Sequence, residues 1–238
     1  MRIKTIKIIF QNIRYIFQSQ IRTCRCCQKY SLIVSLSPGE ERKLCVRCRA
    51  NLRYELLARA VRSIDGELNN KTIVELDPKS PLRHLFEQSD KYIRTYYSGN
   101  DESGTIRYDG ARCENITGLT FSDNSVDLIV SSDVLEHVPD FNAAMKESAR
   151  VLVKGGMHVF TVPTFGKTVK RAEFVDGKVK HLFPPEFHSD PLNPNGILAF
   201  WNFGFDLPEL FVIEGGRIFM VAGPEGKDGR VVWGMVKL

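Results

Sequence analysis

The sequence predicts an α/β fold built on a mostly parallel sheet, and three observations carry the prediction. From Lys71 onward, short apolar runs such as "TIVEL", "VDLIVSS" and "MHVFTVP" alternate with segments of helical periodicity, among them "SPLRHLFEQS" and "DFNAAMKESARVL". Strands separated by helices require crossover connections, and crossovers make parallel sheets. The last segment, "RIFMVAGPEGKDGRVVWGMVKL", breaks this rhythm with two apolar runs around a glycine-rich turn, so an antiparallel hairpin is expected at its end. Ligands of such sheets bind at the carboxyl ends of the strands, which makes the residues just after each strand the candidates for function.

The 238 residues, 43% apolar and 26% charged, suit one large globular domain with a small appendage. No apolar stretch approaches the ~18 residues of a membrane-spanning helix. Arg, Lys and Gln interrupt the apolar positions near the N-terminus, so no secretory signal is expected and a cytoplasmic location follows. The net charge of +5 conceals a polarised distribution. Residues 1–62 hold 14 Lys and Arg against 3 acidic residues, a net +11, whereas residues 63–238 hold 19 against 25, a net −6. A basic quarter of this kind suits an anionic surface: nucleic acid, anionic lipid or a phosphorylated substrate.

Within that quarter, "MRIKTIKIIFQNIRYIFQSQIR" places Ile6, Ile9, Phe10, Ile13, Ile16 and Phe17 at helical spacing, with Lys7, Gln11 and Arg14 between them. Residues 1–22 therefore read as a basic amphipathic helix. Such a helix can lie on an anionic membrane at its inner face, or pack on the parent domain or a sister subunit in an oligomer. Next, Cys24-x-x-Cys27 and Cys45-x-x-Cys48 are separated by seventeen residues, the spacing of a four-thiolate zinc ribbon over residues 23–50. Four thiolates close the tetrahedron, so zinc there is expected to be structural. Cys26 is left as a free thiol and Cys113 as a buried one. An extracellular chain would place disulfides at these cysteines, but without a secretory signal the reducing cytoplasm and zinc are the expectation. Residues 51–70 read as a linking helix, with Leu52, Leu56, Leu57, Ala60, Val61 and Ile64 on one face.

The segment "LTFSDNSVDLIVSSDVLEHVPDFNAAMKESARVLVKGGMHVFTVP", residues 119–163, is self-consistent as strand, helix and strand. Asp140 can cap the helix, and Gly155-Gly156 offers a left-handed stop before the second strand. It resembles the fourth and fifth strands and intervening helix of the class I S-adenosylmethionine-dependent methyltransferases, of the methyltransferase type 11 kind. The resemblance implies a Rossmann-like sheet over residues 71–238, methyl transfer, and S-adenosyl-L-methionine as cofactor. Residues 171–211 are similar to the downstream half of a bacterial subgroup that also carries an N-terminal Cys-x-x-Cys pair. Members of that subgroup look like tailoring enzymes of surface polysaccharide biosynthesis. The acceptor implied is a sugar or glycan intermediate, with a lipid-linked form brought near by the basic helix.

The first strand of that family normally ends Glu-x-Gly-x-Gly-x-Gly. Here Glu75 stands in place, but the glycine slots hold Asp77, Lys79 and Pro81. Ser80 can cap the following helix and Pro81 suits its first turn, so a different, more rigid turn is expected. Where the family grips the ribose with an acid the chain has Tyr96, and where it contacts adenine with Asp it has Asn115, followed by Ile116. The resemblance thus assigns cofactor binding to Glu75, Asp77, Tyr96, Asn115, Ile116, Ser132 and Asp133.

Methyl transfer from a sulfonium is an in-line displacement in which positioning supplies most of the rate, and a hydroxyl acceptor also needs a base. The candidates are Asp133, Glu136 and His137 after the fourth strand, and His188 with Asp190 in "EFHSDP". His188 is expected to be the base, oriented by Asp190, with His137 and Asp133 shaping the cofactor–acceptor junction. A basic ribbon would also suit an RNA methyltransferase. Against that, no aromatic platform interleaves with the basic residues, and "SSDV" stands where a base-binding tetrapeptide would. A third reading is a methyltransferase-fold partner that has lost its cofactor.

Overall fold

The computed structural model describes residues 14–64, 68–188, 195–226 and 229–238. Residues 1–13, most of the predicted N-terminal helix, lie outside the described residues, as does Asp190. Three strands, β1 (Gln20–Thr23), β2 (Tyr30–Ser35) and β3 (Lys43–Cys45), form an antiparallel sheet in sequence order. β1 corrects the boundary of the predicted helix, which was carried to residue 22. Gln20 and Ile21 pair with Ile33 and Leu32 of β2, and tertiary pairing overrides the helical spacing there. Ile16 and Phe17, two members of the predicted apolar face, are 43% and 89% exposed.

Helix α1 (Leu52–Ile64) follows, then β4 (Ile73–Glu75), a single turn α2 (Arg83–Phe86), β5 (Tyr92–Tyr96), β6 (Arg112–Cys113), β7 (Val126–Ser132), α3 (Phe141–Val151) and β8 (Leu152–Thr161). Six short strands come next. They are β9 (Val169–Lys170), β10 (Ala172–Val175), β11 (Lys178–His181), β12 (Phe187–His188), β13 (Ile197–Leu198) and β14 (Trp201–Asn202). The chain then makes α4 (Leu207–Leu210) and the hairpin β15 (Gly216–Glu225) and β16 (Arg230–Lys237). The main sheet runs β15-β16-β8-β7-β4-β5-β6. β6, β5, β4, β7 and β8 are parallel, and β16 is antiparallel to both its neighbours, as the terminal hairpin requires. Because the strand order reverses between β4 and β7, the crevice at their carboxyl ends is where a ligand is best received.

Alternation along β7 shows how both faces are covered. Ile129 joins the core of α3, with Phe141, Met145 and Phe160, while Leu128 and Val130 join the core of α1, with Leu56, Leu57 and Val159. Burying each large side chain contributes roughly 1.5–3 kcal/mol. Cys24, Cys45, Cys48 and Ile33 belong to the second core, so the cysteine-bearing sheet is a layer of the main domain.

Arg22 pairs with Glu55 at 2.9 Å, and Arg25 and Arg59 reach Glu225 at 2.7 and 3.1 Å. Arg25 and Arg59 thus set part of the basic excess against an acid of the C-terminal hairpin. Among the described residues, no helix is long and apolar enough to cross a membrane.

One local expectation holds and one needs adjustment. Asp140 does cap α3, accepting from the Ala143 amide at 2.9 Å, but the helix ends at Val151 and β8 starts at Leu152. Gly155 (φ +77°) and Gly156 form a bulge inside β8 rather than a helix stop. A Cβ on Gly156 would meet Val153 O at 2.9 Å.

His158, fully buried on β8, lies 2.9 Å from Ser131 Oγ through Nε2 and 3.1 Å from Ser148 Oγ through Nδ1. Burial lowers its pKa to about 3, against about 6.5 in the unfolded chain. The unfolded state therefore takes up the proton first, and stability is lost as pH falls from about 6.5 toward 3, at up to roughly 1.4 kcal/mol per pH unit. Urea unfolding at a series of pH values should show this slope, flattened in His158→Gln.

Candidate functional site

The turn after β4 forms without glycine because side chains satisfy its backbone. Asp77 Oδ1 accepts from the Lys79 amide at 2.8 Å, Ser80 Oγ accepts from the Leu82 amide at 2.9 Å, and Arg94 donates to Pro78 O at 3.0 Å. No residue from Leu76 to Pro81 has a positive φ, so the conformational freedom of glycine is not called upon. Glu75, 2% exposed, accepts from the Tyr92 hydroxyl, and burial pushes its pKa up to about 8. Asp77 Oδ2 accepts from the Tyr54 hydroxyl of α1 at 2.7 Å.

Asp133, just past β7, adopts a left-handed backbone at φ +51°. Its carboxylate accepts from Arg53 of α1, from Arg230 of β16 at 3.3 Å and from Thr161 Oγ1 of β8 at 2.9 Å. Arg230 continues to Glu41 at 2.7 Å. Ser132 Oγ lies 3.5 Å from Thr161 Oγ1. At the neighbouring strand ends, Tyr96 donates to Asp101 at 2.9 Å beneath the Arg107 guanidinium, and Asn115 Oδ1 accepts from Thr117 N and Oγ1 at 3.0 and 2.9 Å. Ile116 beside it is buried.

On the other side of the β7 turn, a single 3-10 turn over Leu135–His137 brings Glu136 and His137 against the insert that carries β9 to β14. Phe200 N donates to Glu136 O at 2.8 Å, and His137 Nδ1 lies 2.9 Å from Leu198 O. His188 of β12 stands edge-on to His137, with ring centroids 4.9 Å apart. Its Nδ1 is 3.6 Å from Glu136 Oε1 and its Nε2 is 3.4 Å from Glu186 Oε1. These carboxylates, Glu136 first, raise the His188 pKa, and burial raises that of Glu136. The insert itself is pinned by "FGFDL". Asp206 accepts from Thr168 N and Oγ1, both at 2.8 Å, and a Cβ on Gly204 would lie 2.4 Å from Lys167 C.

The third cluster is made of thiols. Cys24, Cys27, Cys45 and Cys48 hold their sulfurs within 4.8 Å of one another, and Cys24 Sγ is 3.6 Å from Cys48 Sγ. An edge of a zinc–thiolate tetrahedron with ~2.3 Å bonds is about 3.8 Å. Cys26 lies beside this cluster, with its Sγ 3.6 Å from Pro81 O, and so touches the β4 turn. Cys113 is 1% exposed.

The structure thus brings Glu75, Asp77, Tyr96, Asn115, Ser132 and Asp133 to the carboxyl ends of the sheet, and His137 and His188 to one cluster. His188 faces Glu136 and Glu186, and Asp190, expected to orient it, lies outside the described residues. Sequence reasoning did not assign Arg53, Tyr54, Asp101, Glu186 or Arg230 to the site.

Residues 66–160 match the protein-family model described as a methyltransferase domain. The matched residues run from just before β4 almost to the end of β8 and so span the parallel strands and the strand ends described above. An uncharacterized protein of Methanocaldococcus jannaschii is 32% identical over 104 residues, 43% of this chain and 44% of that protein. The chain therefore spans less than half the length of the curated relative it matches. Among solved structures, an S-adenosylmethionine-dependent methyltransferase of Mesorhizobium loti has a TM-score of 0.49 at 14% identity, covering 76% of this chain and 97% of that one. A complex of the Haloferax volcanii Trm112 methyltransferase activator with a proposed methyltransferase has a TM-score of 0.33 at 24% identity, covering 40% and 46%.

Arg53 and Asp133 are only 17% and 15% exposed at the side chain, and removing one partner leaves a half-compensated charge. Arg53→Met should destabilise the fold by roughly 2–3 kcal/mol, less than a fully buried pair because Arg230 remains. The urea unfolding midpoint measures it.

Proposed function

We propose that the chain is an S-adenosylmethionine-dependent O-methyltransferase acting on a sugar or glycan intermediate of surface polysaccharide biosynthesis. The observation that carries the reading is the convergence of two different polar sets on the end of β7. Asp133 with Arg53, Arg230 and Tyr54 stands on one side, and Glu136 with His137 and His188 on the other. The sugar assignment rests on the resemblance of residues 171–211.

The residues suit the cofactor's three parts. Among the described residues, Nε of Arg53 and Nε of Arg230 are buried donors without a hydrogen-bond partner, which suits an amino-acid carboxylate, while Asp77 suits its ammonium. Tyr96 with Asp101 would hold the ribose, and Asn115 with Ile116 the adenine. When bound, S-adenosylmethionine supplies an electrophilic methyl on sulfur. The chain's own part is to close the crevice with Arg53 and Tyr54 of α1 and to hold the acceptor hydroxyl at the Glu136–His137–His188 cluster. The cluster draws off the hydroxyl's proton, with His188 facing both carboxylates. In the four-cysteine cluster zinc fits, as a structural ion.

Calorimetric titration with S-adenosylmethionine should give micromolar binding. Asn115→Ala should weaken it about tenfold, the worth of one hydrogen bond to a buried ligand. No heat at millimolar cofactor with folded protein would sink the reading. Independently, Cys45→Ser should lose one equivalent of thiolate-bound zinc and the hydrogen-exchange protection of β1 to β3, because metal binding there is folding free energy. Unchanged zinc content would remove that assignment.

A further inference from the structure

We propose that Glu136, His137 and His188 form a binding site for a divalent transition-metal cation, distinct from the four-cysteine cluster. One carboxylate and two imidazoles each offer a ligand atom, and these atoms lie within 4.8 Å of one another. Such a nitrogen-and-oxygen donor set suits zinc, cobalt, iron(II) or nickel, where four thiolates select zinc.

The hydrogen bonds around the imidazoles point the same way. Leu198 O, 2.9 Å from His137 Nδ1, is a carbonyl and can only accept. Nδ1 therefore carries the proton, and the lone pair on Nε2 is turned toward Glu136 Oε1, 3.8 Å away. In His188 the Glu186 carboxylate faces Nε2 at 3.4 Å and Glu136 Oε1 faces Nδ1 at 3.6 Å, so a cation held by Glu136 and Nδ1 takes the place of the Nδ1 proton while Nε2 keeps its own toward Glu186. A ring nitrogen that donates to a carbonyl or carboxylate while its other nitrogen stays bare is the arrangement that orients histidines on metals.

Glu136 supplies the independent observation. Its side chain is 1% exposed, and among the described residues neither carboxylate oxygen has a hydrogen-bond donor. A contact of 3.6 Å to His188 is too long to be one. An anion buried this way is costly unless a cation meets it at bonding distance. Tetrahedral ligands at ~2.0 Å from zinc are about 3.3 Å apart, so the present separations of 3.6 and 3.8 Å would close by a few tenths of an ångström. The backbone bonds of Phe200 to Glu136 and of Ala199 to Glu186, at 2.8 and 2.9 Å, already fix both carboxylate-bearing segments.

With three protein ligands, the site keeps a coordination position open on the side where His188 is 28% exposed. What fills it rests on the reading above. An acceptor hydroxyl bound there becomes more acidic, and with the ring nitrogens serving as ligands its O–H proton passes to water; its oxygen attacks the methyl carbon as the carbon–sulfur bond breaks, and sulfur keeps that electron pair as a neutral thioether.

The test uses the full chain with its cysteine cluster loaded with zinc, titrated with cobalt(II) and followed by visible absorption. Expected is one cobalt per chain, with weak d–d bands and no thiolate-to-cobalt charge transfer. Binding should fall at least tenfold in Glu136→Gln and in His137→Ala, each checked for an unchanged near-ultraviolet circular dichroism spectrum. The proposal is overturned if wild-type protein takes up no cobalt, if only the charge-transfer band of the cysteine cluster grows, or if folded variants bind as the wild type does. Cobalt binding without S-adenosylmethionine binding would uphold the cation site and remove methyl transfer, and the converse would do the opposite.

Discussion

The ionic knot at Asp133 is the constraint on which the other parts of the site depend. One carboxylate, projecting from a left-handed residue at the end of β7, receives Arg53 from α1, Arg230 from the terminal hairpin and Thr161 from β8. Glu41 closes the circuit from the cysteine-bearing layer. Four segments far apart in sequence are thereby fixed to one atom group. Tyr54, one residue beyond Arg53, is delivered to Asp77 by the same docking, so the knot also sets the roof of the crevice. Coulombic attraction in a partly dry setting gives the register that apolar packing of α1 alone, which is non-directional, would leave loose.

The glycine-free turn is intelligible in this setting. Glycines in such a turn allow close approach by removing side chains. Here Asp77 and Ser80 use their side chains to hold the backbone, and Cys26 and Arg94 brace it from either side. The turn is stiff, and its contact with Cys26 couples it mechanically to the cysteine cluster. Flexibility has been exchanged for external bracing, a trade that works only because the N-terminal layer packs against the sheet.

Periodic features were legible in the sequence. The alternation of strands and helices, the turn of the hairpin, the Asp140 cap and each Cys-x-x-Cys pair depend on neighbours within about a dozen residues, which local patterns record. The start of β1 at Gln20 was not legible, because four residues of strand cannot outweigh a longer helical stripe until β2 is present to pair with them. Nor were the roles of Arg53 and Arg230. A helical pattern reports which face is apolar but not which distant acid its polar residues will meet. Glu136 was legible as a candidate, yet the meeting of its orphaned carboxylate with His188 depends on the path of the insert, and no short-range pattern encodes that path.

The pairing of both ends of the chain has a consequence for biosynthesis. α1 packs on β15 and β16, and Arg25 and Arg59 wait for Glu225. As the ribosome delivers the chain from its amino end, the first quarter emerges long before the hairpin that completes its binding surface. During that interval the apolar face of α1 lacks the strands that cover it. The hairpin of β15 and β16, made well after α1, is the element that ends the exposure.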